Sequence, residues 1–486
     1  MPRHFRPRAT VRAAVRAAVR ATTRATTCVT VAGILLGTAG AAARAQTAQP
    51  PDTAAGAHPP AGSARWTPYL LGTQVNLITQ HLARVPSPYA GPNSFGPASS
   101  TKTSDAYGIY AGLAASPRFT AYLDAEMIRG SGVNRAVGLA GYTNGDVIRQ
   151  GTVDLGAGPY VARAFVRYTL PLGGRARDTL PRGQDQVPAV VASRRLEVTA
   201  GKLAVSDLFD LNRYANTTRL QFMNWGLFQN TAWDFAADTR GYTNGVSVAW
   251  VRPGTVLRVG SFQMPRRANG NVFDADLGRA RGDQAELTVT PTALGLGTQT
   301  PTVRLLGYVN HARMGLYREA IADAARTGDR PDVVATDAPG RRKRGWGVNA
   351  ELPLLDGGET GVFVRAGGSD GDVESFAFTE VEQHLSGGLQ VSGARWHRGD
   401  DRLGVGVVRH GLSADHRAYL AAGGAGFLLG DGALRYGPES IAEAYYRVQL
   451  GAYLQVSPDV QRIADPGYNR DRGPATVTGV RVNLRY

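Results

Sequence analysis

The stretch Ala444–Val456, which reads AYYRVQLGAYLQV, decides the fold class because the character of its side chains changes at every second residue. One set of alternate positions is apolar or aromatic and comprises Tyr446, Val448, Leu450, Ala452, Leu454 and Val456. The opposite set carries the polar groups and comprises Tyr445, Arg447, Gln449, Tyr453 and Gln455. Successive side chains of a β-strand point to opposite faces of the sheet. The period of two therefore predicts a strand with one apolar and one polar face.

The same alternation recurs in four further segments, Phe119–Met127, Tyr160–Leu170, Trp346–Leu352 and Thr360–Ala366. In the second of these, the pattern places Ala162 and Ala164 on the apolar face and Arg163 and Arg167 on the polar face. No run of about 18 apolar residues follows residue 45, which excludes membrane-spanning helices. The chain is therefore predicted to be all-β.

Alternation alone fits both a soluble β-protein, such as a secreted lectin, and a membrane barrel with lipid on its apolar face and a polar lumen. The number of strands favours the barrel: we count about fifteen, and because bacterial outer-membrane barrels have an even number we expect sixteen. Aromatic residues end several strands, as interface girdles do, at Tyr168, Trp250, Tyr446 and Tyr486. The last segment, Val480–Tyr486, resembles the C-terminal strand by which the barrel-insertion machinery recognises such proteins. We predict a transmembrane antiparallel β-barrel in the outer membrane.

Residues 1–45 have the features of a cleaved secretory signal peptide: a basic start, an apolar run and an A-x-A site at residues 43–45. Its removal takes away eight arginines and no acid, so the net charge falls from +15 to about +7. The high isoelectric point thus comes largely from the targeting segment, and we expect no nucleic-acid partner. Cys28 is the only cysteine, so the mature chain has no disulfide and no cysteine-based metal site.

Residues 46–64 are rich in Pro and Ala and poor in large apolar residues, which predicts a disordered leader. Residues 65–486 contain no second linker and are predicted to form one barrel domain. Long polar stretches at 171–193, 265–282 and 318–343 are expected to be extracellular loops. The basic run Arg341–Arg344 in the last of them is either a solvated loop or a contact with anionic lipopolysaccharide.

Three motifs make the sequence more specific than its alternation. The run 201–250 contains Gly201-Lys202, the step Asp207 to Asp210, the block Phe222-Met223-Asn224-Trp225, then Trp233-Asp234 and Ala237-Asp238-Thr239-Arg240-Gly241-Tyr242. The second is RIADPGYNRDRGP at 462–474, and the third is SPYAGPNS at 87–94. Together they resemble the signatures of the OprB family of carbohydrate-selective porins, over roughly residues 66–486.

The resemblance implies a sixteen-stranded barrel with a narrowed channel that passes sugars. The chain departs from the family pattern in two places. Asp465 stands where the family's segment before the last strand has its first Asn. Many members begin with a helical or coiled-coil extension, where this chain has only the leader 46–64, so the preferred sugar stays open.

The predicted lumen face carries Asp124 and Glu126 on one strand and Arg163 and Arg167 on another. Five more arginines occupy comparable positions, Arg258, Arg365, Arg447, Arg481 and Arg485. These charges either form a ladder that stiffens the barrel wall or an Arg-rich constriction that binds sugar hydroxyls. Four motif residues, Trp233, Asp234, Asp238 and Arg240, are further candidates for the substrate path.

Three aromatic residues of the motif region, Trp225, Phe228 and Trp233, leave two alternatives open. They form an aromatic surface along the sugar path, or they pack as the core of an inward-folded loop within 204–240.

The most consistent function is an outer-membrane porin for passive diffusion of small neutral sugars into the periplasm. The alternative is a non-conducting barrel that binds surface polysaccharide. The sequence contains none of the hydrolase, zinc-protease or nucleotide-binding motifs. Two of the four aspartates could form the paired carboxylates of a glycosidase, but a role in turns is the stronger interpretation of Asp207, Asp210, Asp234 and Asp238. The eight histidines lack metal-ligand spacing. We therefore expect no enzyme, no cofactor and no metal.

Overall fold

The computed structural model describes residues 68–96, 98–147, 155–291 and 299–486. The predicted signal peptide, 1–45, and the predicted leader, 46–64, lie outside the described residues. No helix in those four ranges is long and apolar enough to cross a membrane.

Sixteen of the strands in the described ranges form one closed antiparallel barrel, which confirms the predicted architecture. Its strands, in chain order, are β1 (Tyr69–Leu82), β2 (Ser100–Ser116), β3 (Phe119–Gly130), β4 (Tyr160–Pro171), β7 (Arg195–Leu203), β8 (Thr243–Arg252), β9 (Thr255–Gln263), β10 (Arg281–Val289), β11 (Thr302–Met314), β12 (Ala338–Leu355), β13 (Thr360–Ser369), β14 (Gln383–Gly393), β15 (Arg398–Gly411), β16 (Ser440–Leu450), β17 (Leu454–Ala464) and β18 (Ala475–Arg485). Two short strands, β5 (Arg177–Leu180) and β6 (Ala189–Ala192), form a separate hairpin.

Helical structure is sparse in the described ranges. The α-helices are α1 (Trp225–Phe228), α2 (Tyr317–Thr327) and α3 (Ala414–Ala421). The 3-10 turns are Val133–Ala136, Val205–Asp207, Val334–Thr336, Asp356–Gly358, Ala394–Trp396 and Pro466–Tyr468.

The barrel closes where β1 pairs with β18, with Gln74 opposite Arg485. Beyond the last strand residue, the backbones of Thr73 and Tyr486 exchange two hydrogen bonds of 3.0 Å each. The Tyr110 hydroxyl also donates to the carbonyl oxygen of Tyr486 at 3.3 Å. The final residue therefore belongs to the seam that closes the sheet.

The two faces of the wall differ in polarity as the alternation predicts. Exposed apolar side chains cover the outer face, among them Leu71, Leu113, Leu123, Val166, Trp250, Leu257, Leu305, Trp346, Val364, Leu385, Val405, Val460 and Leu484. Buried polar side chains line the inner face, among them Asn76, Glu126, Thr199, Ser247, Glu286, Asn349, Arg365, His384, Gln461 and Arg481. An apolar exterior around a polar interior is the arrangement of a transmembrane barrel.

The segment Ala444–Val456 is not one strand, because Gly451–Tyr453 form a turn between β16 and β17. Leu450 and Leu454 face each other across this three-residue turn. Both side chains therefore point to the same face of the sheet, and the alternation of apolar and polar residues continues through the turn. The backbone of Gly451 has φ +68, a conformation that glycine adopts without strain.

Strand β4 contains a second departure from simple alternation. Asp124 pairs with Arg163 whereas Ala125 pairs with Val161, so Ala162 is an extra residue in the ladder. Ala162 is fully buried and does not share the outer face with Ala164, contrary to the sequence pattern. Such a bulge bends the strand and re-aims the side chains beside it.

The connections between strands separate into two ends. At the turn end, several neighbouring strands are joined by two to four residues, as at 117–118, 253–254 and 451–453. At the opposite, loop end the connections are 83–99, 131–159, 204–242, 264–280, 315–337, 370–382, 412–439 and 465–474. Two of the predicted loops need correction. Residues 172–194 lie at the turn end and contain the β5–β6 hairpin, and Arg341–Arg344 lie within β12.

We predict that deleting Tyr486 lowers the amount of assembled barrel several-fold, because the deletion removes the backbone pair with Thr73. Tyr486 also contacts the ring of Tyr453, with centroids 5.6 Å apart. The matched control Tyr486→Phe keeps the backbone and the ring. Heat-modifiable folded protein in outer-membrane fractions measures the outcome. Equal folded levels for the deletion and the wild type would contradict the prediction.

Candidate functional site

The interior of the barrel is occupied largely by the connection 204–242, here called the inserted segment. Most of its side chains are buried, although its regular structure is limited to one 3-10 turn and the single helical turn α1. A buried backbone without helix or sheet partners must find hydrogen bonds elsewhere.

Acidic side chains of the wall accept hydrogen bonds from backbone N–H groups of the inserted segment. Glu286 accepts from the N–H of Asp210 at 2.7 Å. Glu351 accepts from the N–H of Arg213 at 2.7 Å. Glu443 accepts from the N–H groups of Met223 and Asn224. Each carboxylate therefore anchors a different point of the segment.

Arginines of the wall bind the carbonyl oxygens of the same segment. Arg365 donates to the carbonyl oxygens of Asp210 at 3.0 Å and of Leu227 at 3.1 Å. Arg447 donates to the carbonyl oxygen of Leu220 at 3.4 Å. These two arginines, like Arg481, are hydrogen-bonded to the inserted segment and do not face an open lumen.

The third of these arginines shows the same arrangement. Arg481 donates to the carbonyl oxygens of Thr218 and Gln221, the second at 2.7 Å. Another amine of its guanidinium donates to the hydroxyl of Ser457 at 3.0 Å. Arg481 is therefore a structural clamp between β17, β18 and the inserted segment.

The aromatic residues of the motif region pack with one another. The ring of Trp225 stacks on Phe378, with centroids 5.0 Å apart, and contacts Phe228 at 5.2 Å. Trp233 is 2% exposed, and its indole N–H donates to Gln284 at 3.2 Å. Phe228 and Trp233 therefore pack in the core of an inward-folded segment, which is the second of the two alternatives. Trp225 stays partly exposed.

Asp234 connects three parts of the structure. Its carboxylate pairs with Lys343 of β12 at 3.0 Å. It also accepts hydrogen bonds from the N–H groups of Phe376 at 2.9 Å and Ala377 at 2.6 Å. Asp234 therefore fastens the inserted segment to the connection 370–382.

Asp238 and Arg240 stabilise the end of the inserted segment. The carboxylate of Asp238 accepts from the N–H groups of Arg240 at 2.9 Å and Tyr242 at 3.0 Å. Burial raises the pKa of Asp238 above its ordinary value. The guanidinium of Arg240 lies over the ring of Tyr160, 4.4 Å from its centroid. Both motif residues thus shape a turn.

Arg163 brings three carboxylates together. It pairs with Asp207 of the inserted segment at 2.7 Å, with Asp124 of β3 at 3.3 Å and with Asp185 of the connection 172–194 at 3.3 Å. The side chain of Asp207 is 37% exposed and that of Arg163 is 11% exposed. This pair therefore borders open space inside the barrel.

Glu126 belongs to an adjoining set of charges. It pairs with Arg219 of the inserted segment at 3.2 Å and accepts a hydrogen bond from the hydroxyl of Tyr242. Arg219 also pairs with Asp146 at 2.9 Å. Although burial opposes its charge, Asp146 and Glu126 hold the pKa of Arg219 above its ordinary value. Asp124 and Glu126 are buried behind Arg163 and Arg219, which are more exposed.

A second group of charges crosses β7, β9 and β10. Glu197 pairs with Arg195 at 2.6 Å, and Arg258 stands directly opposite Glu286 in the ladder. Arg258 is partly exposed, and within the described ranges its guanidinium forms no hydrogen bond or ion pair. Its charge interacts with the nearby carboxylates of Glu197 and Glu286.

Sequence reasoning did not select Arg219, Asp185 or Glu197 for the site. Glu197 alternates with apolar residues in β7, so its inward direction was readable from the sequence. Arg219 and Asp185 lie in connections outside any periodic pattern, and no sequence signal pointed to them. In the part of the chain that the structure describes, no group of three or more His, Cys, Asp or Glu residues is arranged to hold a metal ion.

Comparison with known proteins gives one family and a set of similar folds. The model of the family described as "Carbohydrate-selective porin, OprB family" matches residues 119–486, more than half of the chain. The high-pH structure of OprB from Pseudomonas putida is similar with a TM-score of 0.63 and 16% identity, over 86% of this chain and 94% of that one. At this identity the likeness shows the fold alone.

The structure of a second outer-membrane protein gives a weaker match. The trimer form of OmpT from Vibrio cholerae aligns with a TM-score of 0.43 and 12% identity, over 86% of this chain and 99% of that one. No curated protein matches the sequence.

We predict that Arg365→Met destabilises the protein by about 3–5 kcal/mol, because it leaves the buried carboxylate of Asp210 without its cation. Arg409→Met is the matched control, since Arg409 is exposed on the outer face of β15. Urea unfolding in detergent, followed by tryptophan fluorescence, compares the two. Equal unfolding midpoints would show that the Arg365 pair does not stabilise the inserted segment.

Proposed function

The chain belongs to the carbohydrate-selective porin family OprB, and from this premise we propose that small neutral sugars diffuse passively through its barrel into the periplasm. The observation that supports this proposal is the set of partly exposed charges inside the wall, Arg163 with Asp207 and Arg258 beside Glu197. Family and fold both indicate a transport channel of the outer membrane rather than an enzyme.

The chemistry of these groups suits an uncharged, hydroxyl-rich solute. A guanidinium group has five donors in a plane and stays protonated, and carboxylates accept hydrogen bonds from hydroxyl groups. Because Arg163 and Arg258 each lie beside carboxylates, the fields of the positive and negative groups largely cancel at a distance. A neutral sugar therefore finds donors and acceptors, whereas an ion meets repulsion as often as attraction.

We assign the path to Arg163, Arg167 and Arg258, with Asp207 and Glu197 as acceptors. Asp124 and Glu126 support the arginines from behind. Trp225 is the aromatic candidate for the flat face of a sugar, because its ring stays partly exposed. The remaining predicted residues, Trp233, Asp234, Asp238 and Arg240, shape the inserted segment that borders the path.

One observation favours the second candidate, a non-conducting barrel that binds surface polysaccharide. A buried apolar cluster joins the inserted segment to the connections 131–159, 370–382 and 412–439, so it fills much of the loop end. However, the aromatic rings of this cluster point inward, where surface polysaccharide does not reach. Conductance separates the candidates, since only a porin passes ions and sugars.

We assign export to the signal peptide 1–45, which is then cleaved. We assign assembly in the membrane to recognition of the final strand by the barrel-insertion machinery. Anionic lipopolysaccharide is the proposed lipid partner. Arg313, Arg342 and Arg344 are exposed on the outer face of β11 and β12, at the loop end. Within the described residues their guanidinium groups form no ion pair, whereas Arg341 and Lys343 pair with acids of the protein.

We predict that Arg342→Gln combined with Arg344→Gln lowers the lipopolysaccharide that copurifies with the barrel, because lipid phosphates lose two cations above the outward-facing ring of Trp346. Arg409→Gln is the control, since its ladder neighbours Leu385 and Ser440 are uncharged. Bound lipid phosphate per barrel is the measurement. Unchanged phosphate in the double variant would contradict this partner.

We predict that Arg163→Ala combined with Arg167→Ala alters sugar flux several-fold in the barrels that assemble. Loss of Arg163 leaves Asp207, Asp124 and Asp185 without their shared cation, so cations should also gain over anions. Liposome swelling in glucose and the reversal potential across a planar bilayer measure the two effects. Arg409→Ala is the control, and unchanged flux and ion preference at normal folded yield would exclude both arginines from the path.

A further inference from the structure

The connection 172–194 differs from the short turns beside it because it folds back into the barrel. Its strands β5 and β6 form a hairpin whose end, residues 182–187, is here called the tip. A tight turn closes the tip, since the backbones of Gly183 and Gln186 exchange hydrogen bonds of 3.1 and 3.2 Å. The base is fixed to β7 by the pair of Asp178 with Arg195 at 2.7 Å.

The tip lies against the inner wall of β1–β4. Arg182 donates to the carbonyl oxygen of Leu71 at 2.5 Å, and the N–H of Val187 donates to the hydroxyl of Tyr122 at 3.2 Å. Val187 sits so close to β2 that a Cβ at Gly112 would come within 2.9 Å of it. Val187 is itself buried among the apolar residues of this wall.

The tip also binds the charged groups of the proposed sugar path. The amide of Gln184 donates to Asp124 at 3.1 Å. Arg167 donates to the side chain of Gln186 at 3.0 Å and to the carbonyl oxygen of Asp185 at 3.2 Å. The carboxylate of Asp185 pairs with Arg163 at 3.3 Å.

Two elements from opposite ends of the barrel therefore meet at one guanidinium. The inserted segment enters from the loop end and reaches Arg163 through Asp207, and the hairpin enters from the turn end and reaches it through Asp185. A sixteen-stranded barrel by itself leaves a water-filled channel. At the level of Arg163 both elements therefore occupy part of the lumen.

We propose that the tip forms the narrowest part of the passage and that Asp185 and Gln186 determine its size limit and ion preference. This inference rests on the proposed porin function. By the usual asymmetry of such barrels the turn end faces the periplasm, so a sugar would meet the tip on leaving the channel. Asp185 would keep Arg163 directed into the passage, and Gln186 would do the same for Arg167.

The test removes the hairpin and preserves the barrel. Deleting residues 175–192 leaves Gly173 and Gly174, both with φ +83, as the centre of a short turn, and the N–H of Leu172 already bonds to the carbonyl oxygen of Arg194 at 2.8 Å. A second variant, Asp185→Asn, keeps the hairpin and replaces the carboxylate that pairs with Arg163. Thr179→Ala, on the exposed part of β5, is its matched control.

We expect the deletion to raise single-channel conductance at least about twofold and to admit a trisaccharide that the wild type excludes in liposome swelling. Asp185→Asn should shift the reversal potential towards anions, because Arg163 loses one of its carboxylates, while Thr179→Ala stays at the wild-type value. If the deletion does not assemble, the reversal potential of Asp185→Asn decides the inference.

The outcomes separate the inference from the proposed function. Wild-type conductance, sieving and ion preference in the variants would overturn the role of the tip while leaving the porin function standing. A wild-type barrel closed to glucose that the deletion opens would contradict passive sugar diffusion and support the tip as the barrier. A wild type and a deletion both closed to glucose would overturn both.

Discussion

The structure depends on satisfying the backbone of a long irregular segment that is buried inside a membrane barrel. Each buried N–H or carbonyl group left without a partner costs about 1–3 kcal/mol. The inserted segment 204–242 has almost no internal helix or sheet to provide partners. Side chains of the wall supply these partners. Carboxylates accept hydrogen bonds from the N–H groups of Asp210 and Arg213, and guanidinium groups donate to the carbonyl oxygens of Leu220 and Leu227. The polar inner face is therefore a binding surface for the protein's own chain.

This requirement divides the inward arginines into two groups. One group donates hydrogen bonds to the carbonyl oxygens of the inserted segment and comprises Arg365 on β13, Arg447 on β16 and Arg481 on β18. Arg163 and Arg258, on β4 and β9, donate to no backbone carbonyl of the segment within the described residues, although Arg163 pairs with the side chain of Asp207. The passage that we propose therefore lies along β4 and β9, where these charged side chains stay partly exposed.

The sequence predicted the strands well because lipid imposes alternation directly on every residue of the wall. The sequence did not reveal the turn after Leu450, because a three-residue turn leaves the alternation of inward and outward residues unchanged. It also misplaced 172–194 and Arg341–Arg344, because the polarity of a segment reveals neither which end of the barrel a connection occupies nor where a strand begins. Which inward charges border the path was not readable either. Arg365 and Arg163 look alike in sequence, and they differ only in partners about 155 and 44 residues away.

The bulge at Ala162 shows how local geometry decides which charge reaches the passage. Val161 is exposed on the outer face, so regular alternation would turn residue 163 outward as well. The extra residue resets the parity, and Tyr160 and Arg163 both point inward. On the outer face an arginine at mid-membrane costs about 2–4 kcal/mol. Inside, the same guanidinium meets Asp207 and the hairpin tip, so one inserted alanine both avoids that cost and positions the cation at the point where the two inward-folded elements converge.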